Sequence, residues 1–174
     1  MTGGVPDPAT DGGAEAAELI AGLRNRSGTL AVAESLTGGL LAATLTRVPG
    51  ASVVFRGAVV AYATDVKASL LEVRPETLDR AGAVSAECAR EMAAGVRSRL
   101  GTAYGLSTTG VAGPDPQEGH PPGLVYVGLA DGDGAYAERL DFTGDRQQIR
   151  TATCVAAIGL LRRTLESAGT PRGP

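Results

Sequence analysis

"LVYVGLADGDGAYAERLDF" (residues 124–142) decides what kind of sheet this chain can build. Two β-prone runs, Leu124 to Ala130 and Ala135 to Phe142, flank the turn Asp-Gly-Asp-Gly. Glycine and aspartate accept the backbone angles that a tight reversal needs, so this is a hairpin signal, and a hairpin makes at least one strand pair antiparallel. Upstream, strand-like and helix-like runs alternate, an order that builds parallel pairs joined by crossover helices. "TLAVAE" (29–34) reads as a short buried strand and "TGGLLAATLTRV" (37–48) as a helix stopped by Pro49-Gly50. "VVFRGAVVAY" (53–62) is β-rich, a short helix covers Thr64 to Leu71, and "RPETLDRAG" (74–82) is a helical turn. Ser85 then caps "AECAREMAAGVRSRL" (86–100), and "AYGLSTTG" (103–110) is a strand running into a Gly/Pro-rich loop.

The amphipathic helix "AEAAELIAGLRNR" (14–26) precedes these elements, and "DRQQIRTATCVAAIGLLRRTL" (145–165) is a last helix. The expected fold is a single-domain three-layer α/β/α sandwich with a mixed sheet over residues 14–165. Residues 1–13 read as a disordered leader and 166–174 as a flexible tail.

With 174 residues, 43% of them hydrophobic, the chain can bury a full core. No apolar run reaches the roughly 18 residues of a membrane span, and no secretory leader is visible. A net charge of −3 argues against binding nucleic acid through a broad basic surface. Cys88 and Cys154 lie in apolar helical stretches and read as buried small residues, which fits a reducing cytoplasm.

Two scarcities narrow the chemistry. His120 is the only histidine, so zinc-ligand spacings are missing, and a Ser-His-Asp triad would need a base from the loop "DPQEGHPPG". Lys67 is the only lysine; the other 15 of 16 basic residues are arginine. Arginine holds its proton at any working pH, whereas burial can bring a lysine amine within reach of neutrality. Lys67 is therefore a candidate for a task that needs a titratable amine, or a surface lysine left by an Arg-biased composition.

Ser35 of "AVAESLTGGLL" (31–41) follows a strand and precedes a helix, with Thr37, Gly38 and Gly39 behind it. Unpartnered amides at a helix start suit an anion, a phosphate or an oxyanion, while Ser35 is equally readable as a plain helix cap. Tyr62 and Lys67, at a strand end and on the next helix, can face the same sheet edge; a serine beside such a pair can replace a histidine triad. "STTGVAGP" (107–114) and "FTGDR" (142–146) add two more loops fit to hold a ligand.

Taken together, "AESLTGG", "GAVVAYATDVKASLLEV", "GAVSAECAREMAAGVR", "STTGVAGP", "GLVYVGLA" and "FTGDRQQIR" resemble the CinA carboxy-terminal domain family in order and spacing. The resemblance covers about residues 14 to 165 and is to the stand-alone, PncC-type nicotinamide-nucleotide amidases. It implies hydrolysis of nicotinamide mononucleotide to nicotinate mononucleotide and ammonia in pyridine nucleotide salvage, without metal or cofactor. It also implies a homodimer, while the charge balance and the lack of an apolar span argue for no nucleic-acid or membrane partner. By the same resemblance Ser35 matches the nucleophile, and Tyr62 and Lys67 match the family's Tyr and Lys, the expected base. Amides at Thr37, Gly38 and Gly39 are expected to hold the oxyanion. Thr109, Gly110 and Arg146 match segments lining the nucleotide pocket. Asp65 stands where many members have Asn, Leu36 where many have Cys, and His120 to Gly123 replace a frequent Lys-Pro-Val-Gly. A catalytically silent module that binds a nucleotide or a partner is the alternative reading.

Overall fold

The computed structural model describes residues 12 to 168. Its sheet has five strands: β1 (Leu30–Glu34), β2 (Phe55–Val60), β3 (Tyr104–Gly110), β4 (Leu124–Ala130) and β5 (Ala135–Asp141), in the order β2-β1-β3-β4-β5. β1 runs parallel to β2 and β3, while β4 pairs antiparallel with both β3 and β5. The mixed sheet follows from connection length. A four-residue turn can only reverse a strand, whereas the stretches between β1, β2 and β3 are long enough for helical crossovers.

Helices cover both faces. α1 (Gly13–Asn25), α2 (Leu40–Thr46) and α6 (Arg146–Ala168) bury Leu19, Leu23, Leu41, Ile158 and Leu161 against Val32, Leu106 and Val127 on one face. α3 (Thr64–Leu71), α4 (Pro75–Ala81) and α5 (Ala86–Leu100) cover the other, with Leu71, Met92 and Val96 against Ala31 and Ala33. β1 is buried along its whole length because it has a strand on each side and helices on both faces.

α5 lies unusually close to the sheet. A Cβ at Gly105 or Gly128 would meet the carbonyl oxygens of Ala93 and Ala89. The Ser107 hydroxyl donates to Ala89 O at 2.6 Å, so the absence of two side chains lets helix and strands approach.

Several boundaries differ from the sequence reading. Gly13, counted with the leader, already opens α1, and residues 1–11 lie outside the described residues. α6 continues to Ala168, past the start of the expected tail, and residues 169–174 again lie outside. α2 begins at Leu40 rather than at Thr37, because Gly38 (φ 57) and Gly39 (φ 95) take left-handed conformations that cannot continue a right-handed helix. Ser85 caps α5 as expected, its hydroxyl accepting from Cys88 N at 3.1 Å. Both cysteines are buried and unpaired, and no helix among the described residues is long and apolar enough to cross a membrane.

Topology gathers loops at one edge of the sheet. The parallel strands β1, β2 and β3 all end there, delivering Ser35, Tyr62 and the Val111–Gln117 loop. β5, antiparallel to β4, ends opposite Leu124 on the same edge and leads into α6. Ligands in α/β folds sit beyond strand ends because the backbone turns away there and leaves unoccupied polar groups.

Candidate active site

A cleft of about 300 Å³ opens at this edge. Ser35 and Leu36 form its floor, Tyr62 one wall, Gly110 to Gln117 the other, and Arg146 its rim.

Ser35 sits in the turn immediately after β1, its own amide tied to Thr108 O at 2.9 Å. Lys67 reaches it from the first turns of α3. The Nζ atom lies 3.1 Å from Ser35 Oγ, 2.9 Å from Ala61 O and 3.4 Å from Tyr62 O. Lys67 is only 2% exposed, and its sole side-chain partner is the serine.

Burial penalises the ammonium and holds the Lys67 pKa below its ordinary 10.5; Cys88 and Glu118 nearby offset part of that. Burial in turn pushes the Cys88 thiol up to about 12, with Lys67 opposing part of that rise. Among the described residues, no ion pair holds Lys67. A neutral amine has two N–H bonds and one lone pair. The ammonium can donate to all three oxygens, while a neutral amine would give its two N–H bonds to the Ala61 and Tyr62 carbonyls and leave its lone pair for the Ser35 hydroxyl.

Tyr62 enters this arrangement through its main chain. Its side chain is 59% exposed, and its phenol oxygen accepts from Arg146 Nη2 at 2.8 Å. No hydrogen bond joins the phenol to Ser35 or Lys67, which corrects the expectation of a Tyr/Lys base pair. The phenol and Arg146 instead form a wall, with Arg146 Nη1 also donating to Gly113 O at 2.8 Å. Tyr62→Phe should therefore keep kcat within several-fold and raise KM, whereas removing a proton relay would cost about 10²–10⁴-fold in kcat. Steady-state kinetics separates the two outcomes.

The expected oxyanion donors divide. Gly38 N is spent on Ser35 O at 3.0 Å and Gly39 N on the Glu34 carboxylate at 3.0 Å, so neither faces the cleft as an unoccupied donor. The amides of Leu36 and Thr37 donate to no acceptor among the described residues. Thr109 is also redirected. Its buried hydroxyl donates to Ala83 O at 2.7 Å, tying β3 to the start of α5, while Gly110 does line the cleft. His120 does not line it, and its backbone pairs with Gln117.

Two residues of this site escaped the sequence reading. Glu34 is fully buried at the end of β1, its carboxylate accepting from the amides of Gly39, Leu41 and Ala42 at 2.8–3.1 Å. It fills the anion position at the start of α2 that the glycines suggested for a ligand. The signal was a lone carboxylate ending an otherwise apolar strand. Arg150, one helical turn beyond Arg146, donates from Nε to Leu36 O at 3.2 Å and from Nη2 to Thr37 O at 2.6 Å. Its signal was the i, i+4 spacing from Arg146. Among the described residues, no group of three or more His, Cys, Asp or Glu is placed to hold a metal ion.

The CinA C-terminal domain profile matches residues 14–165, from the first turn of α1 almost to the end of α6. The chain belongs to the CinA C-terminal domain family. A CinA-like protein of Frankia casuarinae is 58% identical over 149 residues, covering 86% of this chain and 34% of the relative. A putative competence-damage inducible protein of Bacillus subtilis is 45% identical over 149 residues, 86% of this chain and 36% of its own. The chain thus spans about a third of the length of these curated relatives.

Among solved structures, a CinA superfamily protein of Klebsiella pneumoniae superposes with a TM-score of 0.87 at 30% identity, covering 89% of this chain and 98% of that one. A competence/damage-inducible protein of Agrobacterium tumefaciens gives 0.84 at 31%, over 95% and 99%. A CinA C-terminal domain is compatible with a hydrolase role.

Proposed function

We propose that this CinA domain is a serine amidohydrolase that converts nicotinamide mononucleotide and water to nicotinate mononucleotide and ammonia. The observation that carries the reading is Lys67. It is the only lysine of the chain, buried with no ion-pair partner among the described residues and 3.1 Å from the hydroxyl of a serine that lines a cleft. Burying an amine costs stability, and here the buried amine meets the one group it can activate.

In the reaction, neutral Lys67 takes the Ser35 hydroxyl proton as Oγ attacks the carboxamide carbon. The carbonyl oxygen becomes an oxyanion against the amide of Leu36, which lines the cleft. The Lys67 ammonium then gives its proton to the departing nitrogen, the C–N bond breaks, and ammonia leaves an acyl-serine. Water, deprotonated by the again neutral Lys67, cleaves that ester and restores Ser35. The Arg146 guanidinium at the rim suits the phosphate of a mononucleotide.

The names of the relatives speak of CinA likeness or of competence and damage and specify no substrate. The choice of nicotinamide mononucleotide rests on the motif resemblance, and the serine-amine pair supports the reaction class. Ammonia release from nicotinamide mononucleotide by purified protein, absent in Ser35→Ala, is the expected result. Nucleotide bound but unconsumed by the native protein would sink the proposal and favour a silent binding module. We further propose that two copies associate through the open edge at β2, beside which Val53 and Val60 are exposed; sedimentation as a monomer would refute this.

A further inference from the structure

We infer that Arg150 is a positioning residue that, by gripping the turn behind Ser35, holds the Leu36 amide towards the cleft as an oxyanion donor. The inference rests on the amidohydrolase reading of the same site and adds a residue that contributes no atom to the cleft lining.

A peptide unit is planar and trans, so its C=O and the following N–H point in opposite directions. Fixing one fixes the other. The unit joining Leu36 to Thr37 presents its carbonyl to Arg150 Nε at 3.2 Å, which turns the Thr37 N–H away from the guanidinium. The next unit presents the Thr37 carbonyl to Arg150 Nη2 at 2.6 Å, and its N–H, on Gly38, closes the turn onto Ser35 O. The Gly38 bond in turn fixes the unit joining Ser35 to Leu36, a residue that lines the cleft and whose N–H has no acceptor among the described residues.

A turn containing two left-handed glycines, Gly38 and Gly39, has many conformations open to it. Arg150 removes that freedom. Its side chain is itself held, Nη1 donating to Gln147 Oε1 at 3.0 Å one turn back on α6. On the opposite side the Thr37 hydroxyl is bonded to the Thr108 hydroxyl at 2.8 Å, and Thr37 is fully buried. The turn is thus clamped between α6 and β3 with two consecutive amides unpartnered beside the serine. A bidentate guanidinium suits this, since its planar fork holds two carbonyls at a set separation, which a single ammonium cannot do.

The test compares wild type with Arg150→Ala and Arg150→Lys, each checked for folding by circular dichroism. Two readouts are taken: steady-state deamidation of nicotinamide mononucleotide, and the rate at which a fluorophosphonate labels Ser35. In Arg150→Ala, kcat and the labelling rate should both fall by about 10²-fold, the scale of losing one oxyanion donor, with KM little changed. Added guanidinium ion should restore part of both rates in Arg150→Ala, and Arg150→Lys should lie between that variant and wild type. A folded Arg150→Ala whose two rates stay near wild type, or whose defect lies in KM alone, overturns the inference. Wild type that labels at Ser35 yet releases no ammonia defeats the proposed substrate, while the labelling rates still decide the role of Arg150. Wild type that does not label overturns the inference, because there is then no reactive serine for the amide to serve.

Discussion

Ser35→Ala and Lys67→Arg are each expected to lower kcat for nicotinamide mononucleotide by at least about 10³-fold, since members of a nucleophile-base pair act as a unit. Lys67→Arg is the sharper test. Arginine keeps a cationic hydrogen-bond donor at this position but cannot accept a proton at working pH. A purely structural or electrostatic Lys67 would tolerate the change, and near-native turnover in this variant would end the general-base role.

The pH profile gives an independent check of the same residue. Burial lowers the Lys67 pKa below its ordinary 10.5, and only the neutral amine can take the serine proton. Turnover should therefore rise along one ascending limb with its midpoint below 10.5 and be lost as pH falls through the folded pKa. Linkage carries the same sign into stability. Below the unfolded pKa the unfolded chain binds the proton more tightly than the folded one, so the penalty of burying Lys67 is largest at low pH. It relaxes as pH rises from the folded value towards 10.5. Denaturation of wild type and Lys67→Met across that window should converge or separate accordingly, the native protein gaining on the variant as pH rises.

Glu34→Ala is expected to cost about 3–5 kcal/mol of stability, more than a typical core truncation, because it strips charge-assisted bonds from three buried or half-buried amides. Glu34 is 0% exposed at the end of the central strand, so no water replaces the lost carboxylate without opening the core. Glu34→Gln keeps the shape but can offer only one oxygen, and its amide donors would face N–H groups; it should lose about half as much. Chemical denaturation measures both. Ser35 follows Glu34 directly, so Glu34→Gln should also lower kcat while the fold persists. If both variants match wild type in stability, the carboxylate cap is not what holds the start of α2.

Much of the architecture was legible because each element announces itself locally. Thr64 to Leu71 was read as a helix and is α3 residue for residue; Ser85 caps α5; Asp131 to Gly134 turns β4 into β5. α2 misled because its amphipathic pattern starts before its backbone does. Propensity sees Thr37 as a first-turn residue, while the two glycines after it leave the right-handed region. Tyr62 misled in another way. Sequence spacing correctly brought it beside Lys67, but only its carbonyl makes the contact, and its phenol turns outward to Arg146.

By itself, then, the sequence determined the layer architecture, the mixed sheet and the presence of a single lysine and a single histidine, since periodicity, turn residues and composition are local or countable properties. The tertiary structure alone decided that the lysine is buried with no ion-pair partner among the described residues, that Glu34 rather than a ligand occupies the start of α2, and that Arg150 grips the turn behind Ser35. Those three depend on which groups meet across more than one element and on how much water remains between them. Charge, reach and desolvation of that kind exist only once the chain has closed on itself.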